Sequence, residues 1–220
     1  MRRRAFATAT QAANQTVLDL NLNKLTVVKR ADVIGRDEVM LWPMFIELSL
    51  NTVNSREFVH KRDPLAGKLG KVGKGDSVIV PASIGSFHNE NGGIGMIGVA
   101  VIAFDNDLRS KNQIKDGYDA AAAALNQAII DHFPKFGFAE VSDEERDEIE
   151  GKVREAIKAA FIADSWFLTL TGGKPVGGDA FTKELFEDSI DEPFSLDCRA
   201  KKDRAIYRVD GRLRFTRTEP

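Results

Sequence analysis

Hydrophobic positions in this chain change period twice, dividing it into a strand-rich first half, a helical middle and a return to strand at the end. The longest apolar run, Met96 to Phe104, has no polar alternation and stops on Asp105, Asn106 and Asp107. A strand of that kind is buried on both faces, so it is expected at the centre of a sheet. Upstream, Lys24 to Arg30, Val39 to Trp42, Phe45 to Thr52, Glu57 to His60 and Ser77 to Val80 read as further strands. Pro43 breaks or edges one of them, and Asn54-Ser55 offers a turn. Tyr118 to Phe133 carries Leu125, Ile129 and Phe133 at four-residue spacing, which predicts a helix closed by Gly137. Ser142 with Glu145 forms a capping box for a second helix, whose apolar stripe runs Ile149, Val153, Ile157 and Phe161. Gly172 to Gly178 reads as a flexible link and Ala180 to Asp188 as a short helix. At the end, Tyr207, Val209, Leu213 and Phe215 alternate with Arg208, Asp210, Arg212 and Arg214, giving a strand with one buried and one basic, wet face.

The expected class is therefore mainly β with an α insertion (α+β), an antiparallel β-sandwich with two helices inserted near 118–165. Residues 1–21, rich in Ala, Thr, Gln and Asn, are expected to form a flexible tail. Residues 22–220 would make one sandwich domain, with strands in 22–107 and 194–216 and a helical insertion over 118–190. A length of 220 residues suffices for one sizeable core with such an insertion.

Charge adds little. A formal net charge of -2 argues against a dedicated polyanion binder, although Arg199 to Arg217 holds eight Lys or Arg against two Asp. Those arginines alternate as a solvated strand face would, without interleaved aromatics for base stacking, so specific nucleic-acid binding is not expected. With Cys198 the only cysteine, no intramolecular disulfide can form, which favours a reducing compartment. Arg2 to Arg4 lack a following apolar region of signal-peptide type, and the apolar runs end well short of ~18 residues. The expectation is a soluble protein, cytoplasmic by default.

The order of signals includes Gly35-Arg36-Asp37-Glu38, Gly75-Asp76, Phe104-Asp105-Asn106-Asp107 and a Tyr207-bearing last strand. In these short motifs, over about residues 24–116 and 194–216, the chain resembles the C2-like β-sandwiches, calcium-dependent lipid-binding modules of eight strands. Asp116-Gly117 stands where that family has an Asp-x-x-Gly step, but helices follow it here in place of the next strand. The resemblance implies calcium held by aspartates on loops at one sandwich end. Here Asp32 and Asp37 would come from one loop and Asp105, Asp107 and Asp116 from the other, since calcium takes six to eight oxygens. Against this stands the ordinary preference of aspartate for turns.

Other chemistry is sparse. Gly67 to Asp76 is Gly/Lys-rich but lacks Walker-A spacing, so a mobile lysine-bearing hairpin is expected. His60, His88 and His132 show no zinc-type spacing, and Ser86, Ser165 and Ser195 no nucleophile elbow. Asp131-His132 are neighbours on a helix and point apart, and Cys198 reads as a buried thiol. The function expected is a non-catalytic binding, structural or effector-type module, calcium-responsive if the acidic loops bind metal, with a protein partner or self-association. The alternatives are an enzyme with its site between sandwich and helices, and a membrane-perturbing, toxin-like protein using the helical hairpin. An acidic rim in place of a basic polar face gives the membrane surface no support.

Overall fold

The computed structural model describes residues 15–31, 35–90, 94–105, 111–132, 174–199 and 204–218. Its first half runs β1 (Gln15–Lys29), β2 (Asp37–Ser49), α1 (Leu50–Ser55), β3 (Val59–His60), β4 (Lys68–Val72) and β5 (Ser77–Ile79). A short α2 (Ala82–Gly85), β6 (Ser86–Asn89), β7 (Ile94–Asp105) and the long α3 (Lys111–His132) follow. Three strands complete it: β8 (Lys174–Glu184), β9 (Ser189–Arg199) and β10 (Ile206–Thr218). They form two antiparallel sheets of five strands. The front sheet is ordered β5-β1-β10-β9 with β6 also on β1, and the back sheet β3-β2-β7-β8 with β4 also on β2.

Period-two alternation builds the space between the sheets. From the front come Leu18, Leu20, Leu22, Leu25 and Val27 of β1 and Tyr207, Val209, Leu213 and Phe215 of β10. The back supplies Val39, Leu41 and Phe45 of β2 and Ile97, Val99, Val101 and Ala103 of β7. The remaining residues of β2 and β7 are apolar as well: Met40, Trp42, Met44, Ile46 and Leu48 with Met96, Ala100, Ile102 and Phe104. They face α3, which covers them with Ile114, Tyr118, Ala121, Ala122, Leu125 and Ile129. The expectation for Met96 to Phe104 holds: β7 lies inside the back sheet between β2 and β8, buried on both sides. Burying an aliphatic side chain is worth about 1.5–3 kcal/mol, so Ile114, Leu125 and Ile129 alone outweigh the weak intrinsic stability of one helix in water.

Pro43 sits in the middle of β2, an interior strand, where the sequence suggested a break. It is tolerated because β4 pairs with β2 over Asp37–Met40 and β3 over Phe45–Ile46, leaving residues 41–44 between them. Continuing the β3 register would set Arg62 opposite Pro43. In place of a direct bond, Tyr118 Oη donates to Pro43 O at 2.8 Å and accepts from Arg62 N at 2.7 Å. A residue's N–H and C=O share one side of a strand, so the donor that proline lacks would have pointed into this gap. The hydroxyl of α3 is thus spliced into the ladder, and burial pushes its pKa up to about 12.

Several expectations are corrected. Residues 15–21 belong to β1, because Thr16, Leu18 and Leu20 face inward against β10. Strand β2 ends at Ser49, whose hydroxyl caps α1 in a reciprocal pair with Thr52. The Gly/Lys segment is not a loose hairpin: Lys68–Val72 is β4, and the chain then crosses to the front sheet as β5. Residues 174–184, divided in sequence between a link and a helix, are strand β8, so the helical insertion does not reach 190. Gly177, at φ +136°, is required there, since a Cβ would lie 2.3 Å from Arg199 O. Helix α3 begins at Lys111, seven residues before the periodic signal, and so takes in Asp116. The tail over 1–14 and the second helix from Ser142 lie outside the described residues. Among the described residues no helix is long and apolar enough to cross a membrane.

Replacing Tyr118 by Phe keeps the ring and strands both backbone partners. The expected loss is about 2 kcal/mol, a fall in Tm of roughly 4–8 °C at this length. Amide exchange should quicken at Arg62, the direct donor; unchanged exchange there would refute the splice.

Candidate functional site

Two of the five aspartates proposed for calcium meet at one end of the sandwich. Asp105 lies opposite Val39, and Asp37 is two residues from Val39 on the same inward face. Both are buried. Asp37 Oδ2 accepts from Tyr207 Oη at 2.6 Å and from Ala31 N at 2.8 Å, while Asp105 Oδ1 accepts from Glu38 N at 2.9 Å. The Tyr207 bond crosses from β10 to β2 and ties the two sheets together. Asp116 is not on a loop beside them; it is exposed on α3. Asp32 and Asp107 lie outside the described residues, and the described residues hold no group of three or more potential ligands.

Glu47 was not singled out in the sequence, yet it is a buried carboxylate lying farther along β2, on the same inward side. His60 Nε2 is 2.9 Å from Glu47 Oε2, and Asn89 Nδ2 donates to Glu47 Oε1 at 3.3 Å. The His60 partnership, ahead of the opposing cost of burial, holds Glu47 below its usual carboxylate pKa. Around the pair, Phe45 stacks on Phe87 with centroids 5.7 Å apart, and the Arg62 guanidinium lies 4.8 Å over Phe45. Arg62 also donates to Ser86 O at 2.7 Å. An acid, an imidazole and a guanidinium are gathered here, and each holds back sheet to front sheet or β3 to β2. Only the position of Glu47, two residues from inward Phe45 on one strand, could have signalled this.

Among the described residues, the interface between the back sheet and α3, one part of the junction considered for an enzyme site, is filled by apolar residues beneath α3. At its margin a groove of about 270 Å³ lies between β3 and α3, lined by Val59, Lys61, Asp119, Ala122 and Asn126. Its polar groups hold the edge strand: Asn126 accepts from Phe58 N at 2.8 Å and donates to Arg56 O at 3.0 Å, and Lys61 pairs with Asp119 at 2.8 Å. Cys198 is buried on β9 opposite Tyr207, and burial, ahead of the nearby Asp179 and Asp197, pushes its thiol pKa far up, the environment of a structural buried cysteine.

Among the described residues, the outer face of the front sheet carries an extended array of charged side chains. Registers of β1, β10 and β9 set it out in rows: Thr26–Arg208–Asp197, Lys24–Asp210–Ser195, Asn21–Arg212–Pro193 and Asp19–Arg214–Asp191. Asp197 accepts from Arg208 Nε at 2.8 Å and Arg199 at 2.7 Å, and Asp191 pairs with Arg212 and Arg214. The arginines hold both carboxyls below the usual range. Beyond β1, His88 bridges Asp19 and Glu90, and those two acceptors raise its pKa. Within rows two and three lies a hollow of about 420 Å³ lined by Asn23, Pro193, Ser195, Asp210 and Arg212. Compared with known protein families and with curated proteins, the chain matches none.

Glu47→Gln should cost about 1–2 kcal/mol at pH 7, since it removes a charge-assisted partner from a buried site. The carboxyl's pKa is depressed in the folded state, so its contribution is present above the usual 4.5 and is lost as pH falls through the lowered value. Thermal unfolding against pH should therefore show wild type and variant separated at pH 7 and converging in acid. Parallel curves would contradict the assignment.

Proposed function

We propose that this chain is a non-catalytic β-sandwich binding module whose ligand sits on the outer face of the front sheet. One observation carries the reading. The back sheet spends its outer face on α3, whereas the front sheet presents a charged lattice with side chains still 42–63% exposed at Lys24, Arg208, Arg212 and Arg214. Exposed ion pairs contribute at most ~1 kcal/mol each, so stability alone is a weak reason for so many. Their effect is instead to hold long side chains in fixed positions, which lowers the ordering cost when a ligand binds. Hydroxyl-radical footprinting of the full chain in buffer and in extract of its source cells tests this. Protection is expected at Pro193 and at the outward-facing Lys24, Arg208, Arg212 and Arg214 of β1 and β10. Protection confined to α3 or to β4 would overturn the reading.

A second reading is supported by the meeting of Asp37 and Asp105 at one end: a calcium-responsive rim, in keeping with the C2-like resemblance. The two carboxylates come from different strands, β2 and β7, as oxygens converging on one cation would. Calcium at a hundred times its dissociation constant would add about 2.7 kcal/mol. At this length that is a rise in Tm of roughly 5–10 °C over the chelator-treated protein. An unchanged midpoint removes the rim and leaves the front-sheet reading intact.

A further inference from the structure

We infer that the hollow on the front sheet binds a neutral polyhydroxylated ligand, a saccharide unit; this rests on the front-sheet reading and names its ligand class. The hollow follows from side-chain length. On the β9–β10 strip, rows one and four carry Arg208 with Asp197 and Arg214 with Asp191, while rows two and three place short Ser195 and Pro193 beside Asp210 and Arg212. A depression of about 420 Å³ results, within the range of small-ligand sites. Its rim is completed by a β-bulge. The register shifts between Leu22 and Lys24, so Asn23 is an extra residue, and bulges re-aim side chains in this way.

The chemistry alternates donors and acceptors. Asp210 accepts from Ser195 Oγ at 2.7 Å and pairs with Lys24 Nζ at 3.2 Å, yet its side chain is 29% exposed and its carboxylate retains lone pairs. Arg212 engages Asp191 through Nε and has further N–H donors, and the Asn23 amide offers both kinds of group. Pro193, exposed on the outer face, supplies an apolar ring against which the C–H face of a sugar can rest, while Phe194 and Gly211, whose side-chain positions face the inter-sheet core, border the hollow from beneath. Charge decides the class. Lys24 is already balanced by Asp210 and Arg212 by Asp191, so an anion would gain little attraction and would face the Asp210 carboxylate. A cation meets the converse from Lys24 and Arg212. Hydroxyl groups, which donate and accept at once, suit every group in the hollow.

The test is an amide-resolved NMR titration of the full chain with millimolar glucose, galactose and N-acetylglucosamine, with inorganic phosphate as a parallel arm. Saturable shifts at Asn23, Ser195, Asp210 and Arg212 with at least one sugar are expected. Asp210→Ala and Asn23→Ala should each weaken binding by roughly tenfold or more, the equivalent of losing one good hydrogen bond. Lys115→Ala, on the exposed side of α3, should leave it unchanged. Unfolding midpoints of the variants separate lost binding from lost fold. Phosphate binding in the hollow without sugar binding overturns the inference, as does sugar binding indifferent to both variants. No sugar shift, with footprint protection still on the front sheet, overturns the ligand class and spares the front-sheet reading; loss of both sinks both.

Discussion

Everything in this architecture follows from β2 and β7 being apolar on both faces. An ordinary sandwich strand needs one dry side; these two need a layer on each. The front sheet answers one face through Leu18 to Val27 of β1 and Tyr207 to Phe215 of β10. Helix α3 answers the other with alanines and a few large side chains against Trp42, Ile102 and Phe104. Trp42 lies 4.4 Å from Phe104 and edge-on to Tyr118 at 5.7 Å, so the ring whose hydroxyl repairs the ladder at Pro43 is also part of the apolar contact. The order of layers is front sheet, back sheet, helix, with an apolar core between each pair of layers.

The open sides of such a stack are its weak places, and the chain closes them by one device used twice. At the β3–β6 side, Phe45 of the back sheet stacks on Phe87 of the front; at the β8–β9 side, Phe181 stacks on Phe194 with centroids 4.1 Å apart and planes within 6°. Polar groups then seal what the rings leave. Glu47 with His60 does so on one side, and Asp179, accepting from Asp197 N at 2.9 Å, on the other. Strand β9 is an edge, and Pro193 removes a backbone donor from it, a common protection against unwanted strand pairing. Asp37 with Tyr207 closes the sandwich end by joining strands 170 residues apart in sequence.

How much of this was legible depended on whether a signal was local. Met96 to Phe104 announced an interior strand because residues of both parities were apolar, and Tyr207 to Phe215 announced a half-buried one because only one parity was. Leu125 and Ile129 marked α3, though in its first turns Ile114 is the one large apolar residue before Tyr118, among exposed Lys111, Lys115 and Asp116. The misread stretch over 174–184 failed for a physical reason. Glycines ordinarily mark links, but Gly177 is there because Arg199 of the neighbouring strand passes too close for a side chain. Pro43 read as a break or an edge, and β2 is locally an edge there, since neither β3 nor β4 pairs with residues 41–44 and the Tyr118 hydroxyl fills that gap. Of the acids, Asp37 and Asp105 fall on inward positions at the same end of β2 and β7; the helical continuation that carries Asp116 onto α3 depended on packing against the back sheet, which no local pattern records.

The two faces of the stack are thereby made unequal. A sheet whose outer residues are apolar must find a cover within the chain, and the back sheet has one. A sheet whose outer residues are charged is stable in water, so selection on the fold places few demands on which charges stand where. Yet on the front sheet they are ordered: each of Asp191 and Asp197 holds two arginines, and the short residues fall together between them. Solubility would be served equally by lysines scattered without partners. Arginines fixed by aspartates, around a hollow of shorter side chains, are an arrangement that solubility alone does not require.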